Sequence, residues 1–108
     1  MTEQEQFEFA AKAVGIVVLK DINDKFIWDE RNYDQSYYWN PRDDGADSFR
    51  LETELELDVV WYREYIKVRS CDERFWKLES FSDHNGDKDA ARRAASFRVA
   101  VEIGKAMG

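Results

Sequence analysis

The sequence predicts an α+β fold, a mostly antiparallel sheet with about three helices packed mainly on one face. Three observations predict it. Apolar residues recur at helical spacing at both ends of the chain and once near its middle. Short runs of β-branched and aromatic residues, bounded by turn chemistry, lie between them. No strand–helix–strand unit recurs at a regular length, which argues against a doubly wound parallel sheet.

The first helix is expected over residues 3–14. Thr2 is a good N-cap and Glu5 follows three residues later, the pattern of a capping box. Phe7, Ala10, Ala11 and Val14 share a face, and Gly15 is a natural residue to follow the last turn. Ile16-Val17-Val18-Leu19 reads as a strand, Asn23-Asp24 as a turn, and Phe26-Ile27-Trp28 as the returning strand. Tyr37-Tyr38-Trp39 is a third short aromatic segment, which Asn40-Pro41 ends.

Residues 51–59 alternate strictly between apolar or Thr positions and acids, which on periodicity alone argues for a strand. Asp43-Asp44-Gly45 just upstream has the chemistry of a helix start. A helix over 45–56 is therefore expected, with Ala46, Phe49 and Thr53 on one face and Leu51 and Leu55 beside it. Val59 to Tyr62 and Tyr65 to Arg69 then read as paired strands, and Arg74 to Phe81 as a further one. Residues 83–87 form a loop. A last helix is expected over 88–107, capped by Asp87, with a stripe of Ala90, Ala94, Phe97, Val101 and Met107 that Ala100 and Ile103 widen.

The 108 residues suit a single domain with one core, and no linker, repeat or low-complexity run divides them. Cys71 is the only cysteine, so no disulfide closes within the chain, and a lone thiol suits a reducing compartment. The acidic, polar N-terminus lacks the features of a signal peptide, and no apolar run approaches the roughly 20 residues that span a bilayer. A cytoplasmic protein of a bacterial host cell is expected, with no membrane partner. The 16 basic and 23 acidic residues give a net charge of −7, which repels phosphate backbones and argues against direct nucleic-acid binding.

The segment Trp39-Asn40-Pro41-Arg42-Asp43-Asp44-Gly45 through Arg50-Leu51, and the C-terminal Ala90-Ala91-Arg92-Arg93-Ala94-Ala95 through Glu102-Ile103-Gly104-Lys105-Ala106-Met107, carry a resemblance. Both blocks are similar to those of a family of short phage and prophage proteins. The resemblance implies a phage origin and supports the helix over 45–56. It implies no reaction. Read from the residues alone, Asn40 can make an Asx-turn, Pro41 fixes its own φ, Asp43 or Asp44 can accept from free N–H groups, and Gly45 lets the backbone pass closely. These five residues are expected to serve as a structural loop and cap.

Catalytic chemistry finds little support. One histidine, His84, and one cysteine cannot build a zinc site, and no local signature joins them as a nucleophile–base pair. Cys71 is expected to be buried or half-buried and His84 to face solvent. Asp83, Asn85, Asp87 and Asp89 cluster, but without the spacing of an EF-hand. No metal, cofactor or catalytic residue is expected. Lys88, Arg92, Arg93, Arg98 and Lys105 form no single stripe, so the last helix reads as solvated.

The more informative feature is aromatic. Val59-Val60-Trp61-Tyr62 is apolar on both faces of its strand, so either further chain or a partner covers the second face. Trp and Tyr dominate binding hot spots. The expectation is a noncatalytic phage or prophage accessory protein that binds another protein, a host or defence factor among the candidates. Trp39, Trp61 and Tyr62 are the expected contacts, with Glu52 and Glu56 drawing a basic partner. A structural homo-oligomer closed through the same face, such as a homodimer, is the alternative, and a small metal-dependent hydrolase is the remote one.

Overall fold

The computed structural model describes residues 1–20, 26–28 and 38–107. The elements follow in the order α1 (Glu3–Ala13), β1 (Val18–Lys20), β2 (Phe26–Trp28), α2 (Gly45–Glu54), β3 (Asp58–Trp61), β4 (Tyr65–Arg69), β5 (Trp76–Ser80) and α3 (Lys88–Ala106), with a short 3-10 turn at Phe81–His84. β1 and β2 pair as an antiparallel hairpin, and β3, β4 and β5 form a separate antiparallel sheet in that order. The fold is α+β, as the sequence predicts. The expected turn at Asn23-Asp24 and Tyr37 lie outside the described residues. Tyr38 is an isolated bridge residue and not part of a strand, and Trp39 belongs to no strand.

Local chemistry starts and stops the helices. In α1 the Thr2 side chain accepts from Glu5 N–H at 3.1 Å, and Glu5 Oε1 accepts from Thr2 N–H at 2.9 Å, so the capping box is complete. Gly15, at φ +76°, ends the helix, with Ile16 N–H returning to the Ala11 carbonyl. Asp44 caps α2 and Asp87 caps α3, each accepting from the N–H three residues on. α2 ends the same way as α1 but without glycine. Glu56 takes φ +52°, and Leu57 N–H bonds the Glu52 carbonyl at 2.9 Å.

Helix α3 is the centre of the molecule. It packs against β4 and β5 on one side and against α1 and α2 on the other. Ile66, Val68 and Phe81 meet Ala91, Ala95 and Val99 of α3 in one core. Phe7, Ala10, Ala11, Val18, Trp39 and Leu51 meet Phe97, Ala100 and Val101 in a second. All three helices thus lie on one side of the sheet, with α3 alone against it and α1 and α2 in a further layer. Burial on two opposite faces corrects the single stripe expected for α3. Ala90 and Ala94 are half-buried and Met107 is exposed, whereas Ala91, Ala95, Ser96 and Val99 are buried.

The face of α2 is corrected too. Ser48, Leu51 and Glu52 are buried, while Ala46 and Thr53 are exposed and Phe49 is 64% exposed. α2 packs on α3, whose contact surface there includes polar groups, so the buried face carries a Glu and a Ser that an apolar count misses. Among the described residues, no helix is long and apolar enough to cross a membrane.

Candidate functional site

The segment from Asn40 to Gly45 is a closed knot of hydrogen bonds. Asn40 Oδ1 accepts from Asp43 N–H at 3.1 Å, the Asn40 carbonyl accepts from Asp44 N–H at 2.8 Å, and Asp47 Oδ2 accepts from Asn40 N–H at 2.9 Å. Burial pushes the Asp47 carboxyl above the usual carboxylate range, against the lowering effect of that bond. Pro41 is buried within the knot. Arg42 ties it to α1, with Nη1 on Glu3 at 2.8 Å and the guanidinium 5.2 Å from the centroid of the Phe7 ring. Arg93 of α3 donates to the Arg42 carbonyl at 3.3 Å. Gly45 departs from the expectation of a close backbone pass. A Cβ there would meet nothing within 4 Å, and its φ is not in the left-handed region.

Two of the expected partner contacts are not on the surface. Trp39 is 5% exposed and packs edge-on against Phe7, with centroids 6.1 Å apart. Glu52 is 6% exposed and faces α3. Arg92 Nη2 donates to Glu52 Oε1 at 2.6 Å and Arg92 Nε lies 3.1 Å from both carboxylate oxygens. Ser96 Oγ donates to Glu52 Oε2 at 2.6 Å. The hydrogen bonds it donates to Glu52 hold the Arg92 guanidinium above its usual range. A carboxylate saturated in this way attracts no basic partner, so Glu52 is a packing residue. Glu56 is exposed, and its backbone serves the end of α2.

The β3–β5 sheet has two unlike faces. Cross-strand partners share a face, and successive residues alternate. Val59, Val68 and Lys77 form one row toward α3, and Trp61, Ile66 and Glu79 form the next. The polar members of these rows are partnered by α3 and the 3-10 turn. Lys77 Nζ lies 3.5 Å from Glu102, and Glu79 binds Arg98 and, at 2.8 Å, His84 Nε2. Trp61 sits at the margin of this inner face, with its ring 6.1 Å from Phe81.

The outer face holds Asp58, Arg69 and Trp76 in one row, Val60, Lys67 and Leu78 in the next, and Tyr65 with Ser80 beyond. Tyr62 closes it, with its ring stacked on Tyr65 at 4.6 Å and 14° between planes. Trp76 is 52% exposed, Leu78 and Tyr62 44% each, and Tyr65 38%. Arg69 is spent on its neighbours, with Nε and Nη2 each 2.9 Å from Asp58 Oδ2 and Nη1 3.2 Å from Glu73. The Asp58 bond raises its pKa above the usual arginine value. The Lys67 ammonium instead stands 5.1 Å from the centroid of the Trp76 ring.

Trp61 and Tyr62, neighbours in sequence, therefore face opposite ways, and only Tyr62 joins this surface. Tyr65, Trp76 and Leu78 complete it. Alternation within Tyr65–Arg69 and Trp76–Ser80 signals that these side chains share faces, but the register that unites them spans two hairpins.

No family model matches the chain, and neither the curated proteins nor the solved structures contain a significant match. Among the described residues, no three His, Cys, Asp or Glu side chains gather as metal ligands. Cys71 is exposed in the loop after β4, and His84 is half-buried on Glu79, the reverse of the exposures expected. Charge is unevenly spread. Residues 1–57 hold fourteen acidic and six basic side chains, whereas residues 58–108 hold nine acidic and ten basic. The net negative charge thus belongs to the first half of the chain, and the exposed aromatic face belongs to the second.

Proposed function

We propose that the chain is a noncatalytic phage or prophage accessory protein that holds another protein, a host factor, against the outer face of β3–β5. The observation that carries this reading is the cluster of Tyr62, Tyr65, Trp76 and Leu78, four large side chains left open on one sheet face beside a half-buried Val60. An antiparallel sheet covered by helices on one side normally turns polar residues to water on the other. Contiguous exposed apolar groups mark interaction surfaces, and aromatic anchors supply most of the energy at such surfaces. The similarity of Trp39–Leu51 to the phage family supports the origin. Within that segment Trp39, Pro41 and Leu51 are buried and Asp44 caps α2, so these residues contribute stability to the protein and not contact to the partner.

The test is capture of tagged protein from a lysate of its bacterial host, with wild type beside Trp76→Ala and Phe49→Ala. One stoichiometric partner is expected with wild type and Phe49→Ala, and Trp76→Ala should reduce its recovery at least about tenfold, the effect of losing roughly 1.4 kcal/mol. Trp76 is half exposed and stands outside both cores, so the substitution should leave the melting temperature nearly unchanged. Equal recovery of the same partner with Trp76→Ala would sink the assignment of this face.

A further inference from the structure

We infer that the occupant of the outer sheet face is an extended apolar segment of another protein that carries a carboxylate, received by Lys67, and not a second copy of this chain. The inference rests on the docking reading above and adds the partner's chemistry to it.

Lys67 lies on the middle strand, with Val60 on one side and Leu78 on the other. Its ammonium is held over Trp76, and it is half-buried before anything docks. Among the described residues no carboxylate pairs with it. The next outward-facing cation on the same strand, Arg69, is engaged by both Asp58 and Glu73. The face therefore carries one committed cation at its end and one available cation at its centre.

An apolar partner that covers this face takes the Lys67 ammonium out of water. A desolvated charge without a counter-charge is strongly unfavourable. An apolar occupant must then bring its own acceptor to that point, and a carboxylate gives the strongest, charge-assisted bond. A second copy fails this requirement. A two-fold axis through the centre of the face would set Lys67 against Lys67 of the other copy. The carboxylates the face could offer in return, Asp58 and Glu73, already bind Arg69. The shape of the occupant follows from β5, which carries Trp76 and Leu78 two residues apart on the exposed face. An extended segment can run along that strand and lay alternate side chains between the two.

The experiment pans a random dodecapeptide library, displayed on filamentous phage, against the intact protein. Enriched peptides are expected to carry Asp or Glu among aliphatic or aromatic residues. A synthetic peptide from that set should bind Lys67→Met, which keeps the aliphatic stem, at least about tenfold more weakly than wild type. It should fail to bind Trp76→Ala and should bind Phe49→Ala normally. Lys67→Glu should recover binding to the same peptide with its acid changed to lysine. Peptides that depend on Trp76 but lack an acid, or ignore Lys67→Met, overturn this inference and leave the docking face standing. Peptides that ignore Trp76→Ala, or a library from which nothing is enriched, overturn the docking reading and the inference together. A dimer in sedimentation that Trp76→Ala dissolves, or a fluorescent single-stranded oligonucleotide bound only when Trp76 is present, assigns the face to another occupant and overturns it as well.

Discussion

At the scale of single residues, Glu52 illustrates how a charge on α2 can serve packing and not recognition. Its carboxylate accepts from Arg92 and Ser96 while 6% exposed. Removing one partner of such a pair leaves the other's charge or donors unsatisfied, which costs more than the pair contributes. Arg92 keeps about a third of its side chain in water, and that moderates the cost. Glu52→Ala is expected to lower stability by about 2–3 kcal/mol. Arg92→Ala should cost a similar amount, and the double variant should be far from additive, with a coupling of about 1–3 kcal/mol. Urea melts of the four proteins measure the cycle, and additivity within error would show that the pair is incidental. Glu5 offers a pH test. The Thr2 backbone N–H, then its side chain, hold the Glu5 carboxyl below the usual range. A lowered folded pKa adds stability above the ordinary carboxylate value and loses it as pH falls through the folded value. Wild type should therefore melt above Glu5→Gln at pH 7, and the two curves should converge below the ordinary Glu range. A gap that stays constant to acid pH would assign the difference to something other than ionisation.

At the scale of elements, the approach of α1 to α3 is set by small residues. Ala10 and Ala11 on one helix meet Ala100 on the other, and Gly104 lies beside Phe9. A Cβ at Gly104 would fall 1.9 Å from the Phe9 carbonyl oxygen, which belongs to backbone and cannot rotate away. Gly104→Ala should cost about 2–3 kcal/mol despite the better helix propensity of alanine, because overpacking against backbone outweighs a gain of about 1 kcal/mol. A thermal melt unchanged or raised by Gly104→Ala would mean the helices have room to part. The same elements show what the sequence reveals. Helix starts are local, so Thr2 with Glu5, Asp44 and Asp87 were all legible, as were the segments that become β3, β4 and β5. Faces are not local. α2 turns Phe49 outward because Glu52 has Arg92 to bury it, and α3 defeats a single stripe because it is packed on two sides. For the candidate site, Tyr62 was legible from the doubly apolar strand beside it. Trp76 and Leu78 were not, since only pairing through β4 brings them to the same face.

At the scale of the whole molecule, α3 decides whether the chain behaves as one unit. Each of the two cores takes three of its buried members from this helix. Leu57, between α2 and β3, packs against both cores as well. Neither the α1–α2 layer nor the sheet can bury its apolar face with α3 gone, so loss of either core exposes one face of the helix that the other needs. Unfolding should then be a single transition. Native-state hydrogen exchange reads this directly, because amides that open only in global unfolding share one free energy. The N–H groups of Ala11 in α1 and Val68 in β4 are expected to show the same protection. Val99→Ala, which removes two methyl groups on the sheet side of α3, should lower stability by about 2 kcal/mol and reduce protection at both positions equally. If Val68 lost protection while Ala11 kept it, the two cores would be separate cooperative units, and a partner seated on the sheet could stabilise its own half without stiffening the other. Equal loss would mean that any change in the stability of the sheet is felt at α1, through one helix shared by both layers.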